Sequence, residues 1–358
     1  MRQFYAGMDV GSSVCEISVE DQDGQEVYHK KFPTGERHLL EVIQEAKECC
    51  RGKFHLAIEE GEMAQWLAGI LRPLVDRFVI CDPRRNAWIA KDRYKNDRID
   101  ARRLAKLLRG DFIKEIHHTE DVDRVEFKRL VQHYHNITRT ESILKCQIKS
   151  RLRAHGVIIK EDRDAHPDSR EANIARIPSL HGQQVLRQLY AFLDSALQAK
   201  ENAKKLMVSM GRKFPEIALL QSVYGVGPVW ACTFSAYIQT PFRFKDKHKL
   251  WKYCGLSITD RSSNGLPLGF HRLDRSGVSM LKNLSYNVFM SNMIADTDFK
   301  KSFKESLDRT QDKTHARLNT QRKILAVLWA MWRSMETYRS QGGAQKAARY
   351  QVKYLAAD

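Results

Sequence analysis

The first 115 residues follow a rhythm that few folds can accommodate: three strand-like stretches in succession, then helix and strand in alternation. FYAGMDV (4–10) is an apolar strand, and VCEISVEDQDGQEVYHKKF (14–32) divides into two alternating strands about a turn at Asp23-Gly24. Leu39, Leu40, Val42, Ile43 and Ala46 then recur at helical spacing. FHLAIEE is a strand with Phe54, Leu56 and Ile58 on one face, EMAQWLAGILRP a short helix stopped by Pro73, and RFVICDP another strand. A helix from Arg98 to Leu108 closes the series, giving the order β-β-β-α-β-α-β-α.

That order is the one found in ribonuclease-H-like folds, whose first and fourth strands are neighbours. The expected site follows from it. Asp9 lies in the first strand, in GMDVGSS, and Glu59 and Glu60 end the fourth, in LAIEEGEM. Asp97 and Asp100 stand three apart where YKNDRIDARRLAKLLRG (94–110) begins a helix, so they share a helical face. Carboxylates from two adjacent strands and a covering helix form a hard-oxygen donor set suited to Mg²⁺ (or Mn²⁺). Two such ions about 4 Å apart can stabilise both the attacking and the leaving oxygen of a phosphodiester. Asp9, Glu59, Asp97 and Asp100 are therefore the candidate metal ligands and catalytic acids, with Glu59 preferred to Glu60. Singly, each acid has a plainer reading: Asp97 as a helix N-cap, Glu60 or Glu62 as a solvated carboxylate. DVGSS also resembles the first phosphate loop of actin-like kinases and ATPases, but no second domain with Gly-rich loops follows residue 115.

The charge of the whole chain favours a polyanionic partner. Sixty basic against 43 acidic side chains leave a formal charge of +17, a field that attracts phosphate backbones irrespective of sequence. Arg84, Arg85, Lys95, Arg98, Arg102 and Arg103 around the acids, and Arg272, Arg275 and Lys282 further on, are the candidate nucleic-acid contacts. The seven cysteines are scattered without CxxC spacing, which argues against a zinc ribbon or a disulfide scaffold. The N-terminus has no signal-like apolar region, and the longest apolar run, Ile324 to Trp332, is too short for a membrane helix. The expectation is a cytoplasmic, nucleoid-associated protein.

After residue 118 the chain turns helical. Residues 120–155 and 184–212 keep apolar residues at three-to-four spacing, as in an antiparallel, dimerising coiled coil, with 158–182 as linker or hairpin tip. A third region begins near Phe214-Pro215. Within it, Gly225 to Ala231 has the GxGxxxA pattern of a helix-hairpin-helix turn, where Gly225 and Gly227 would let backbone N–H groups meet a phosphate. Asp260 to Gly265 (DRSSNG) reads as an exposed turn, and composition alone gives its serines no chemical role. Tyr286, inside LKNLSYNVFM, reads as core. Residues 343–358 form a polar tail.

GMDVGSS, AIEEGEMAQWL, CDPRRN, KNDRIDARRLA, SVYGVGPVWA, FxFKxxxxLWKYCGL, RSSNG and LxRSG occur in one order along nearly the whole chain. Together they resemble the DEDD insertion-sequence transposases, the family that includes Piv-type invertases and the bridge-RNA-guided recombinases. The resemblance implies an α/β RuvC-like catalytic domain over 1–118, a helical coiled-coil region over 119–213 and a mainly helical transposase domain over 214–342. It implies that Asp9, Glu59, Asp97 and Asp100 are the DEDD set, and that a serine attacks DNA to form a covalent phosphoserine. Counting seven residues from Leu256 reaches Ser263, but Asn264 stands where the family has glycine, which leaves Ser262 open as well. His271 and Arg275 replace a usual glycine and lysine in the trailing motif. Implied partners are DNA, a guide (bridge) RNA, and further copies of the chain as a dimer or tetramer whose subunits complete a composite site. Two other classes fit the residues: a metal-dependent DNA junction endonuclease without a covalent intermediate, and a non-catalytic nucleic-acid scaffold.

Overall fold

The structure is a computed structural model that describes residues 2–82, 97–159, 167–263, 266–274 and 276–339. The chain forms two compact units, residues 1–120 and 121–358.

The first unit is built on a five-stranded sheet. Its elements are β1 (Gln3–Val10), β2 (Val14–Glu20), β3 (Glu26–Pro33), α1 (Glu36–Cys49), β4 (Lys53–Glu59), α2 (Ala64–Leu71), β5 (Arg77–Cys81) and α3 (Asp97–Arg109). The strands lie in the order β3-β2-β1-β4-β5. β1, β2 and β3 pair antiparallel, with Gly24 at φ +84° in the connecting turn, while β1, β4 and β5 run parallel. The expected adjacency of the first and fourth strands is therefore present.

Strand alternation gives the sheet two unlike faces. Ala6, Met8, Ile17, Val19, Phe54, Leu56 and Ile58 point one way, into a cluster closed by Leu39, Val42 and Ile43 of α1 and Leu67 and Leu71 of α2. On the other face Ala57 and Val79 meet Leu108 of α3, with Tyr5 and Ile113 beside them. Gly7 allows α3 to sit directly on this face, since a Cβ at that position would lie 2.1 Å from the Ala101 carbonyl oxygen. After α3 the chain returns to the outer edge of β5: Ile116 N–H donates to Ile80 O at 2.8 Å and Glu115 bridges Cys81, which covers part of an otherwise open edge.

The second unit opens with two helices, α4 (Val122–Arg153) and α6 (Leu180–Gly211), separated by the short α5 (Pro167–Ala175). Phe127 and Val131 of α4 share a core with Ala203 and Met207 of α6, whereas Ile148 and Leu152 share another with Leu186, Tyr190 and Leu193. Early α4 thus meets late α6, so the two helices are antiparallel. Asp121 and Ser179 cap them, accepting from Arg124 N–H and Gly182 N–H. The stretch between them is more than a linker, because α5 forms there and Ile159, Ile174 and Ile177 are buried with the helix pair.

Beyond them lie α7 (Pro215–Leu220), α8 (Pro228–Ile238), α9 (Lys247–Tyr253), a hairpin of β6 (Ile258–Ser263) and β7 (Leu266–Leu273), then α10 (Ser279–Ile294), α11 (Asp298–Thr310) and α12 (Lys313–Ser334). Leu220, Phe234, Leu250, Leu284, Val288, Ile324 and Leu328 form their common core. Two expectations change here. Ser262 and Ser263 belong to a strand of the hairpin rather than to a turn, paired with Pro267 and Leu266. Tyr286 is 39% exposed and is not a core residue. Among the described residues no helix is long and apolar enough to cross a membrane.

Candidate acidic site and serine hairpin

Register and strand parity position the acids. In the parallel pair Gly7 lies opposite Ala57 and Met8 opposite Ile58, so Asp9 and Glu59 continue the register at the same end of neighbouring strands. Adjacent strands are about 4.8 Å apart. Ala57 faces α3, and Glu59, two residues on, shares that face, as Asp9 shares it with Gly7. Glu60 lies beyond the last residue of β4. Asp100 is on α3, three residues from the start of the helix and one before Ala101, whose carbonyl lies over Gly7. The Asp97 side chain, with Arg84, Arg85 and Lys95, lies outside the described residues. Among those described, no three acidic, cysteine or histidine side chains gather closely enough to hold a metal. The donor types that the backbone brings to this end, all carboxylates, fit a hard divalent cation.

Several neighbouring arginines are engaged by carboxylates of the sheet. Arg98 Nη2 donates to Glu26 Oε2 at 2.8 Å and Arg102 Nε to Glu20 Oε1 at 3.2 Å. Arg109 lies 3.4 Å from the other oxygen of Glu20, and Arg103 donates to Asp100 Oδ1 at 3.1 Å. Burial works to raise the Glu26 carboxyl, but hydrogen bonds from Arg98 and Ser18 outweigh it and hold the group below its ordinary range. Arg98 and Arg102 were expected as nucleic-acid contacts; both also clamp α3 to β2 and β3.

Sequence reasoning missed the acidic side of that clamp. Glu16, Ser18 and Glu20 alternate along β2 on the face opposite Cys15, Ile17 and Val19, and all three are buried. Glu16 stands opposite Asp9 in the register, 2.7 Å from His29 Nε2 and 3.8 Å from Lys31 Nζ. The available signal was the match between polar positions of an amphipathic strand and the basic face of α3.

In the second unit, Gly225 adopts φ +84°, and a Cβ there would lie 2.9 Å from Ser291 Cβ of α10. Asn292 Nδ2 donates to Tyr224 O at 2.9 Å, so packing accounts for this glycine. Gly227 is the N-cap of α8, with open space where a Cβ would project. The hairpin places Ser263 opposite Leu266, beside the tip, with Ile258 opposite Leu273 at its base. The Ser262, Ser263 and His271 side chains, and Arg275, lie outside the described residues. Arg272 is exposed, and Lys282 lies on the first turn of α10.

Two family models match the chain. Residues 6–156 match the IS110-type DEDD profile described as "Transposase", and residues 217–304 match "Transposase IS116/IS110/IS902 family". The first match contains all four candidate acids and the second the glycine loop and the serine hairpin. A chain with both parts is a DNA transposase, an enzyme that cuts and rejoins DNA, and its DEDD domain implies use of a divalent metal. It belongs to the IS110 family of DEDD transposases. No curated protein matches the chain.

Proposed function

We propose that this transposase is a site-specific recombinase working through a covalent phosphoserine, with Ser263, or Ser262 beside it, as nucleophile. Asp9, Glu59, Asp97 and Asp100 would hold Mg²⁺. The observation that carries the reading is the pair of family matches, one over the acids and the other over the hairpin. The common face and strand end of Asp9 and Glu59 support it.

The serine hydroxyl attacks phosphorus, a P–O bond to one deoxyribose oxygen breaks, and that oxygen leaves with a proton. A second DNA hydroxyl then displaces the serine, so the bond energy is kept and no high-energy cofactor is consumed. Bound metal would supply polarisation of the phosphate oxygens. The +17 charge supports a bridging guide RNA as well as DNA, with base pairing choosing the DNA partners. Val185, Phe192 and Leu206, exposed along α6 at heptad-compatible spacing, support assembly of two or four copies.

Two variants separate the alternatives. Ser263→Ala and Ser262→Ala together, and Asp9→Ala alone, are each expected to abolish recombination, and the serine variant to leave no protein–DNA adduct on denaturing gels. Cleavage that survives loss of the serines but not of Asp9 identifies a metal-dependent junction endonuclease instead. Full activity in both variants leaves a scaffold, or a site elsewhere.

A further inference from the structure

A cavity of about 400 Å³ opens between α10 and α12 at the base of the serine hairpin, with Leu273 of β7 in its wall. Lys282 and Asn283 of α10 and Thr314 and Arg317 of α12 line it, with Tyr286 between them. Among the described residues no carboxylate enters the wall. The cavity beside β5 and the one between α11 and α12 differ in this respect, each having a glutamate, Glu115 or Glu305.

Three further observations point to an anionic occupant. Neither Lys282 nor Arg317 makes an ion pair among the described residues, and Arg317 Nε is fully buried with no hydrogen-bond partner. A buried donor left unmade is destabilising unless something satisfies it. The guanidinium stands 5.7 Å from the centroid of the Tyr286 ring, which holds it by cation–π attraction. Ser279, also in the wall, is the first residue of the 16-residue α10, a helix without a side-chain N-cap. The positive end of its dipole is therefore directed here.

We propose that this cavity is a subsite for one nucleotide of the DNA strand on which the serine acts. The phosphate is held by Lys282 and Arg317, and Asn283 and Thr314 supply neutral hydrogen bonds to phosphate or sugar. The volume suits a nucleotide-sized group. DNA is favoured over RNA by the hairpin: Leu273 pairs with Ile258, and from there β6 runs to Ser263, a span of roughly 17 Å at the usual strand rise. A strand held in the cavity is thus kept within a few nucleotides of the hairpin tip, and the subsite positions DNA without touching the reacting bond. Tyr286, in the cavity wall, holds Arg317 in place.

The proposal rests on the reading of the hairpin serine as nucleophile, and the test keeps the two apart. Binding of the full-length protein to labelled oligothymidylate and oligouridylate is followed by fluorescence anisotropy over a series of salt concentrations. Arg317→Gln and Lys282→Gln are each expected to weaken DNA binding about tenfold and to flatten the slope of log K against log salt by about 0.7. Tyr286→Phe retains wild-type binding and Tyr286→Leu loses it, with unchanged melting temperatures. Lys304→Gln, an exposed charge on α11, is the control. Equal loss in the control overturns the subsite, as does an unchanged slope in both cavity variants or a loss confined to RNA. If the cavity variants behave as expected while Ser262→Ala/Ser263→Ala still forms the adduct, the subsite stands and the serine reading fails.

Discussion

Single side chains reveal how the surroundings override residue type. Gly7 looks unremarkable in FYAGMDV, yet its missing Cβ is what lets the Ala101 carbonyl approach the sheet and brings Asp100 over the strand that carries Asp9. His135 is a second case. Its Nε2 lies 2.8 Å from Thr233 Oγ1, whose own proton goes to Val229 O at 2.7 Å, so the histidine is the donor and its Nδ1 is unprotonated. Burial lowers its pKa from 6.5 to about 4. Below pH 6.5 the unfolded chain takes up a proton that the folded chain refuses until about pH 4, so stability falls as pH falls through that window. This one group contributes at most about 1.4 kcal/mol per pH unit, less with solvent screening. His135→Gln keeps a donor for Thr233 and is expected to reduce the pH dependence of the urea midpoint between pH 6.5 and 4.

At the scale of elements, the α4–α6 pair combines apolar contacts with a buried charge. Glu141 of α4 is 6% exposed and accepts from Lys200 of α6 at 2.7 Å, while Lys145 one turn on lies 2.8 Å away. Burial would raise the Glu141 carboxyl, but the two ammonium groups hold it below its ordinary range. The bond from α6 fixes the antiparallel register midway between the two apolar clusters, where neither does so. Glu141→Gln keeps the shape and removes the charge, and is expected to cost about 2 kcal/mol in equilibrium denaturation. Lys200→Met in that background should add little, since the partner is already lost. The β6–β7 hairpin shows the limit of reading elements from pattern. Its serine stretch is polar and turn-like, and pairing with β7 makes it a strand.

Across the whole molecule the apolar clusters separate by sequence. Those of the first unit draw on residues up to Ile113, and those of the second begin at Phe127. Each unit buries its own core, so each has the means to unfold cooperatively. Leu56→Ala, at a fully buried position of β4, is expected to destabilise the first unit by about 2–5 kcal/mol. In calorimetry it should lower one transition and leave the other in place. A single transition shifted as a whole would show the two units unfolding together.

What the amino-acid sequence determined by itself was periodic or ordered along the chain: the strand and helix rhythm of the first 115 residues, the long amphipathic helices, the positive charge, and the motif order that places the chain among IS110 transposases. Such features repeat over many residues, so local physics and pattern reveal them. Tertiary structure alone decided the pairing of the α3 arginines with Glu20 and Glu26, the strand that holds the serines, and the meeting of Lys282, Tyr286 and Arg317 around one cavity. Those depend on contacts between residues distant in sequence, which close only when strand register and helix packing are set, and no local pattern encodes them.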